Sequence, residues 1–333
     1  MKTNIAVLDD YLGISQTVAD WSALKERANV VVFDRPLAVP EEAADALADF
    51  DVICTLRERM PIPRGLLTAL PRLKYIVVTG KRYDTVDVET AAARGIAVSN
   101  TPVGSVGGGG VAELTWGLII ALARGIAMED RLMRQGGWQH EMGISLRGKT
   151  LGVLGLGGIG RQVAEIGKAF GMKLQAWSQN LTVDQARAAG VEWIDKESLF
   201  RTSDFLSVHL ALSERTRGIV GEAELRSMKP SAFIVNTARG ALIDEVALVA
   251  CLRSGAIAGA GLDVFEQEPL PPDHPIRTLP NVVITPHLGY FTRDMLGAYY
   301  ADAISLIAAF LDGRPERVVN EVGRYGDGTA RKS

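Results

Sequence analysis

Three short stretches in the C-terminal half follow apolar runs and carry residues able to bind an acid and move a proton. They are Asn236-Thr237-Ala238-Arg239-Gly240, Gly261-Leu262-Asp263-Val264-Phe265 and Thr285-Pro286-His287-Leu288-Gly289. In open α/β sheets ligands bind beyond the carboxyl ends of the strands, so side chains just past a strand are the first candidates. Arg239 and His287 are therefore candidates for one cleft, with Glu268 close by on the loop after Phe265. A planar guanidinium can hold the carboxylate and carbonyl of a 2-oxo acid by two hydrogen bonds. A histidine near neutral pKa can give or take a hydroxyl proton. A carboxylate beside it favours the imidazolium. The remaining need is a hydride, which a nicotinamide cofactor supplies.

Each residue also has a plainer reading. Arg239 could be a surface salt-bridge partner, Glu268 a solvated loop acid, and His287 a satisfied structural histidine behind Pro286. His209 ends another apolar run and either flanks a cofactor or only closes that strand. His140 and His274 lack a supporting pattern and are expected on the surface. No His, Cys and carboxylate cluster has metal-ligand spacing, so no metal site is expected.

The cofactor signal is Gly155-Leu156-Gly157-Gly158-Ile159-Gly160, which follows the apolar run Leu151 to Leu154 and leads into Arg161 to Ile166. A buried strand turning through Gly-x-Gly-x-x-Gly into a helix is a dinucleotide-binding unit. Gly155 permits the tight turn, Gly157 lets the backbone approach a pyrophosphate, and Gly160 lets helix and strand pack closely. The pyrophosphate would sit on free N–H groups at the helix N-terminus.

The elements that must position these residues alternate along the chain. Ile5 to Leu8, Val30 to Phe33, Val52 to Cys54, Tyr75 to Val78 and Ile96 to Val98 read as apolar strands, separated by helices such as Val18 to Arg27 and Glu41 to Phe50. A loop at 99–105, extended by Gly107 to Gly110, marks a boundary and either a hinge or a slack connection. Glu113 to Arg134 reads as one long helix whose apolar first half must be buried, and a partner subunit could cover it. A second alternating run supplies six strands, Leu151 to Leu154, Leu174 to Trp177, Phe205 to Leu210, Ala232 to Asn236, Ala258 to Leu262 and Val282 to Thr285. The expected fold class is α/β, with two doubly wound parallel-sheet domains, one of them a Rossmann-type nucleotide-binding domain. The segment Asp294 to Leu311 is helical again, and the polar tail from Arg324 onward is expected to fray.

The 333 residues are too many for one ordinary core. A formal charge of -3 gives no electrostatic footprint for nucleic acid. The longest apolar stretch, around Leu114 to Ala123, is too short to span a bilayer, so no membrane partner is expected. Two distant cysteines, Cys54 and Cys251, and a start without a signal-peptide core fit a reducing cytoplasm.

These ordered motifs make the chain resemble the D-isomer-specific 2-hydroxyacid dehydrogenase family, which includes phosphoglycerate dehydrogenases and hydroxypyruvate/glyoxylate reductases. The carrying stretches are 155–160, 236–240, Leu262 to Leu270 and Asn281 to His287, with weaker support from Asp87 to Gly95 and from Ala112-Glu113-Leu114-Thr115. The resemblance implies that Arg239 binds the substrate carboxylate and carbonyl, that His287 is the acid/base, and that Glu268 pairs with it. It implies that Gly158 and Ile159 lie at the pyrophosphate and that Thr237, Ala238 and Asp263 line the ribose–nicotinamide side. Ser178, Gln179, His209 and Gly289 complete the expected cofactor set. It also implies a smaller flavodoxin-like substrate domain from residues 1–101 plus 291–333, a nucleotide domain at 102–290, a closing cleft, and a homodimer built partly on the helix from Glu113.

Three departures from the family pattern bear on specificity. Trp177 is followed by Ser178-Gln179-Asn180, without the acid that binds the ribose 2′-OH and repels a 2′-phosphate, and without an Arg to bind one. This leans to NADP(H) competence with NAD(H) open. The substrate loop reads Gly80-Lys81-Arg82 in place of Gly-x-Gly; the backbone of Val78, Thr79, Gly80 and Lys81 is expected to hold the substrate carboxylate. Lys81 or Arg82 either contacts a second anionic group or points to solvent. Tyr290 and Phe291 follow Gly289 where small residues are usual, which bears on substrate size. The chain ends soon after its last helix, so an appended regulatory domain is not expected. The resulting expectation is an NAD(P)-dependent reductase of small 2-oxo acids. The alternatives are a nucleotide-sensing, corepressor-like binding protein, and a formate- or phosphite-oxidising enzyme on the same scaffold.

Overall fold

The computed structural model describes residues 2–37, 39–102 and 109–321. The chain divides into two compact units, Met1–Gly107 with Arg293–Ser333, and Gly108–Thr292. The glycines at 107 and 108 and the tail from Arg324 lie outside the described residues, whereas Gly109 and Gly110 open a helix.

The first unit holds five parallel strands, β1 (Thr3–Val7), β2 (Ala28–Val32), β3 (Val52–Thr55), β4 (Tyr75–Val78) and β5 (Ala97–Asn100), in the order β2-β1-β3-β4-β5. Every residue of β3, β4 and β5 is buried. That explains why they read as continuous apolar runs without alternation. The edge strand β2 does alternate, with Asn29 and Val31 exposed. This order has the flavodoxin-like connectivity. Helix Arg293–Leu311 closes the unit from the far end of the chain, stacking Phe310 on Tyr75 at 4.3 Å between ring centroids. By length and composition it could cross a membrane; here Tyr299, Tyr300, Leu306 and Ile307 are buried against the rest of the unit.

The second unit holds seven parallel strands, β6 (Thr150–Leu154), β7 (Lys173–Trp177), β8 (Glu192–Trp193), β9 (Phe205–Val208), β10 (Phe233–Asn236), β11 (Gly259–Leu262) and β12 (Val282–Ile284). Their order is β12-β11-β10-β9-β6-β7-β8. Numbered within the unit, this is the Rossmann order with one strand added. The strand order reverses between β6 and β9, which places the Gly155–Gly160 turn at the switch point. The sequence reading expected six strands. The seventh, β8, has two exposed residues and no apolar run to betray it.

The expected single helix over 113–134 is two helices, Gly109–Arg124 and Ile126–Arg134, bent by 62°. Gly125 breaks it in the left-handed region at φ 61°. The apolar first helix is covered from within its own unit. Trp116 donates to the Val163 carbonyl at 3.1 Å and stacks on Phe170, while Leu118 and Leu122 pack against Gly261. The expected helix from Val18 to Arg27 is likewise interrupted, into Ser15–Val18 and Ser22–Arg27.

Candidate active site

The cofactor turn is built as its glycines suggest. Gly155 has φ 106°, and a Cβ there would lie 2.8 Å from the His209 carbonyl carbon. A Cβ on Gly160 would lie 2.1 Å from the Gly155 oxygen, so helix Gly158–Ala169 can approach the strand only with glycine there. Gly157 and Gly158 are different, since a Cβ at either would meet nothing within 4 Å. The protein's own packing therefore does not demand glycine at these two positions, whereas a close-lying pyrophosphate would. The helix starts at Gly158 with no side-chain cap and no acid in its first turn, leaving its N-terminal dipole for an anion. Ile159 is half-buried beside it. The residues present fit a dinucleotide.

Beyond β7, Ser178 is half-buried, while Gln179 and Asn180 are exposed. Arg187 is held by Asp184 at 3.5 Å. His209 is half-buried as a residue, but its ring is surrounded by protein and burial lowers its pKa to about 4. Nε2 lies 2.7 Å from the Ser207 hydroxyl. The ring is neutral over the working range of pH.

The three candidate catalytic residues sit past the ends of β10, β11 and β12. Asn236, the last residue of β10, makes the turn that presents Arg239: its side-chain oxygen accepts from the Ala238 N–H at 3.0 Å and its amide donates to the Arg239 carbonyl at 2.9 Å. Thr237 is tied from the other side by a 2.8 Å hydroxyl contact with Thr115. Arg239 is half-buried and donates to the Ala238 carbonyl.

His287 and Glu268 meet directly, Nδ1 to Oε2 at 2.6 Å. The other carboxylate oxygen of Glu268 accepts from the Phe265 N–H at 3.0 Å. Burial alone would raise the Glu268 pKa; the His287 hydrogen bond and charge, the Phe265 N–H and the Arg239 charge outweigh it and hold the carboxyl below its ordinary value. Glu268 is thus an ionised partner, which fixes which imidazole nitrogen faces it and leaves Nε2 of His287 for chemistry.

His287 has a left-handed backbone, φ 55°, which costs a non-glycine residue about 1 kcal/mol. Asp263 offsets this by holding the whole loop. Its carbonyl accepts from the His287 N–H at 2.9 Å, and its carboxylate takes the Thr285 hydroxyl at 2.5 Å and the N–H groups of Leu288 and Gly289 at 2.7 and 2.9 Å. The Asp263 side chain is fully buried, and burial raises its pKa against those bonds. The sequence reading put Asp263 and Gly289 on the cofactor-facing side. Both Asp263 carboxylate oxygens and the Gly289 N–H are engaged inside the loop that carries His287. Tyr290 is 3% exposed and meets the His287 ring edge-to-face at 5.5 Å, so it packs on the acid/base and does not lie open on the surface.

In the first unit the expected carboxylate-binding backbone is largely committed. Val78 belongs to β4; the Thr79 N–H donates to the Thr55 carbonyl at 3.2 Å, and the Gly80 N–H to the Thr101 hydroxyl at 2.7 Å. The amide of Lys81 has no partner among the described residues. Arg82 is paired with Asp84 at 3.0 Å. Sequence reasoning missed Arg57. It has φ 56°, donates to the Tyr299 hydroxyl at 3.0 Å, and runs past Gly80, where a Cβ would lie 3.6 Å from its Nη1.

Two histidines differ in outcome. His140 is exposed, as expected. His274 is half-buried and 2.7 Å from Glu245, not a free surface residue. Cys54 and Cys251 are free and buried, and burial pushes Cys54 up to about 12, so it is no thiolate nucleophile. Among the described residues no group of side chains could hold a metal ion.

Comparison with known proteins agrees with this architecture. Residues 116–289 match the model of the D-isomer specific 2-hydroxyacid dehydrogenase, NAD binding domain. A glyoxylate reductase from Aeropyrum pernix is 42% identical over 308 residues, spanning 89% of this chain and 91% of that protein. The crystal structure of a phosphoglycerate oxidoreductase from Vibrio cholerae superposes with a TM-score of 0.88 at 34% identity, covering 94% of this chain and 99% of that one. An acyclic imino acid reductase solved with NADPH and D-Arg reaches a TM-score of 0.74 at 30% identity, covering 95% and 100%. The chain belongs to the D-isomer-specific 2-hydroxyacid dehydrogenase family, and it is an NAD(P)-dependent oxidoreductase acting on the CH–OH group of its donors.

Proposed function

We propose that this enzyme works as a reductase of small 2-oxo acids of the glyoxylate and hydroxypyruvate class, with Arg239, Glu268 and His287 as its catalytic set. The observation that carries this is the 2.6 Å contact between His287, just past β12, and Glu268, on the loop after β11, with Arg239 past β10 in the same sheet. When bound, the nicotinamide supplies the hydride. Arg239 orients the substrate carboxylate and faces the charge growing on the carbonyl oxygen. His287 gives that oxygen a proton from Nε2, while Glu268 stabilises the positive ring. The same residues run the oxidation in reverse. In this reading the first unit is the substrate domain, with the Lys81 amide a carboxylate contact, and Gly157, Gly158 and Ile159 carry the pyrophosphate. Ser178 and Gln179 in place of an acid let NADPH serve as well as NADH.

The test follows loss of reduced-nicotinamide absorbance with NADH and NADPH against glyoxylate, hydroxypyruvate, pyruvate and phenylpyruvate. Turnover of the small acids with either cofactor is expected. His287→Ala should lose most of kcat, on the order of a hundredfold or more, with cofactor affinity nearly unchanged. Wild-type kcat in that variant would remove His287 from its role. Silence of the wild type toward the whole panel, with cofactor bound, would shift the reading to a sensing protein.

A further inference from the structure

Behind the His287–Glu268 pair lies a second histidine–carboxylate pair, and the loop that carries Glu268 runs between them. Glu245 is the first residue of helix Glu245–Ser254, which Asp244 caps through the Ala247 N–H at 3.0 Å. Its side chain is 16% exposed and uses both oxygens. Oε2 accepts from the Glu266 N–H at 3.2 Å, and Oε1 lies 2.7 Å from His274 Nε2. His274 Nδ1 accepts from the Ile276 N–H at 3.3 Å. That bond requires a bare Nδ1, so the proton sits on Nε2 and points at Glu245. One carboxylate thus joins the chain just before Glu268 to the loop just after it.

A second observation bears on the same loop. A Cβ on Gly240 would lie 1.9 Å from the Phe265 carbonyl carbon and 2.4 Å from the Glu266 nitrogen. These are backbone atoms, which cannot swing aside. The segment that follows Arg239 therefore touches residues 265–266 on one side, and Glu245 holds the Glu266 N–H five residues further along. Phe265 in turn donates to Glu268 Oε1.

We propose that Glu245 and His274 are positioning residues for Glu268. They fix the loop 265–268 against the strand end that bears Arg239, so that the carboxylate stays aimed at His287. Neither touches the reacting atoms. With His274 accepting at Nδ1 and facing Glu245 through Nε2, all four groups are partnered. The inference rests on the reading of Glu268 and His287 given under Proposed function.

A double-mutant cycle between Glu245 and Glu268 tests it. Glu245→Ala is expected to lower kcat about tenfold, as a displaced catalytic group does, with cofactor affinity unchanged. Glu245→Gln keeps one acceptor for its two donors and should recover part of the loss. Glu268→Gln should lower kcat by itself, and adding Glu245→Ala to it should cost less than about twofold more. His274→Gln, a milder change, should lose less than Glu245→Ala and follow the same non-additive pattern. Thermal unfolding of each variant shows that the protein is folded. Additive losses in the cycle, or wild-type kcat in folded Glu245→Ala, would overturn the proposal while leaving the catalytic set intact. Wild-type kcat in His287→Ala would overturn both.

Discussion

At the scale of single residues, the site works by opposite treatments of histidine and carboxylate. Glu268 is kept ionised beside His287, whereas His209 is kept neutral by burial, with a pKa of about 4. The sign for His209 follows from linkage. Its folded value lies below the ordinary 6.5, so the unfolded chain takes up a proton first as pH falls. Its contribution is complete above the ordinary value and is lost between there and about pH 4. The loss amounts to about 3 kcal/mol over that window. Replacing His209 by Gln should flatten the fall in unfolding temperature between neutral and acidic pH. An unchanged slope would show that another group carries the acid sensitivity. The triad of candidates was legible at this scale because Arg, Glu and His each follow a strand end. The hold that Asp263 has on the His287 loop was not legible from its position. Only the folded loop shows that its oxygens point at Thr285, Leu288 and Gly289.

At the scale of elements, the glycines of the nucleotide turn divide into two physical classes. Gly155 and Gly160 are required by the fold, since a Cβ at either would meet backbone at 2.8 and 2.1 Å. Gly157 faces open space. Gly160→Ala should therefore destabilise the protein, by about 1–3 kcal/mol as overpacking does, with a matching fall in unfolding temperature. Gly157→Ala should leave unfolding temperature nearly unchanged and weaken NADH and NADPH binding, measured by nicotinamide fluorescence. Equal effects of the two variants on both measurements would contradict this division. The sequence pattern identified the turn as a unit, but the pattern alone treats its glycines alike. Strand positions were legible for the same reason that the sheet is stable. Strands buried on both faces must be apolar throughout, so they stand out in the sequence. The exposed β8 had no such signature, and a lone glycine inside a helical pattern, as at Gly125, does not by itself mark a break.

At the scale of the whole molecule, one exposed apolar segment stands out. Ile126, Met133, Trp138 and Met142 are 50, 61, 73 and 98% exposed and lie within one segment, the second of the two bent helices and the loop after it. Glu129 fastens that loop by accepting from the N–H groups of His140 and Glu141 at 3.0 and 2.9 Å. Exposed apolar side chains gathered on one held segment are the usual mark of an interaction surface. The sequence reading expected a homodimer built partly on the helix from Glu113, and Ile126 and Met133 lie within that expected helix. Sedimentation should show a dimer for the wild type and a shift toward monomer for a Trp138→Glu, Met142→Glu double variant. A monomeric wild type, or a variant still fully dimeric, would place the interface elsewhere or remove it.

By itself the sequence determined the class of chemistry and the two α/β sheets. Both are written in local signals: apolar runs sized for strands, a glycine turn at fixed spacing, and charged residues just past strand ends. Tertiary structure decided which of those residues meet one another and which hold the loops in place. Asn236, Glu245 and Asp263 look alike in sequence as polar residues near strand or helix ends, yet one shapes the Arg239 turn, one tethers residues before and after Glu268, and one holds the His287 loop. Their tasks depend on partners two to more than twenty residues away. Hydrogen-bond direction at that separation is set by how strands and helices pack, which the order of residues does not record.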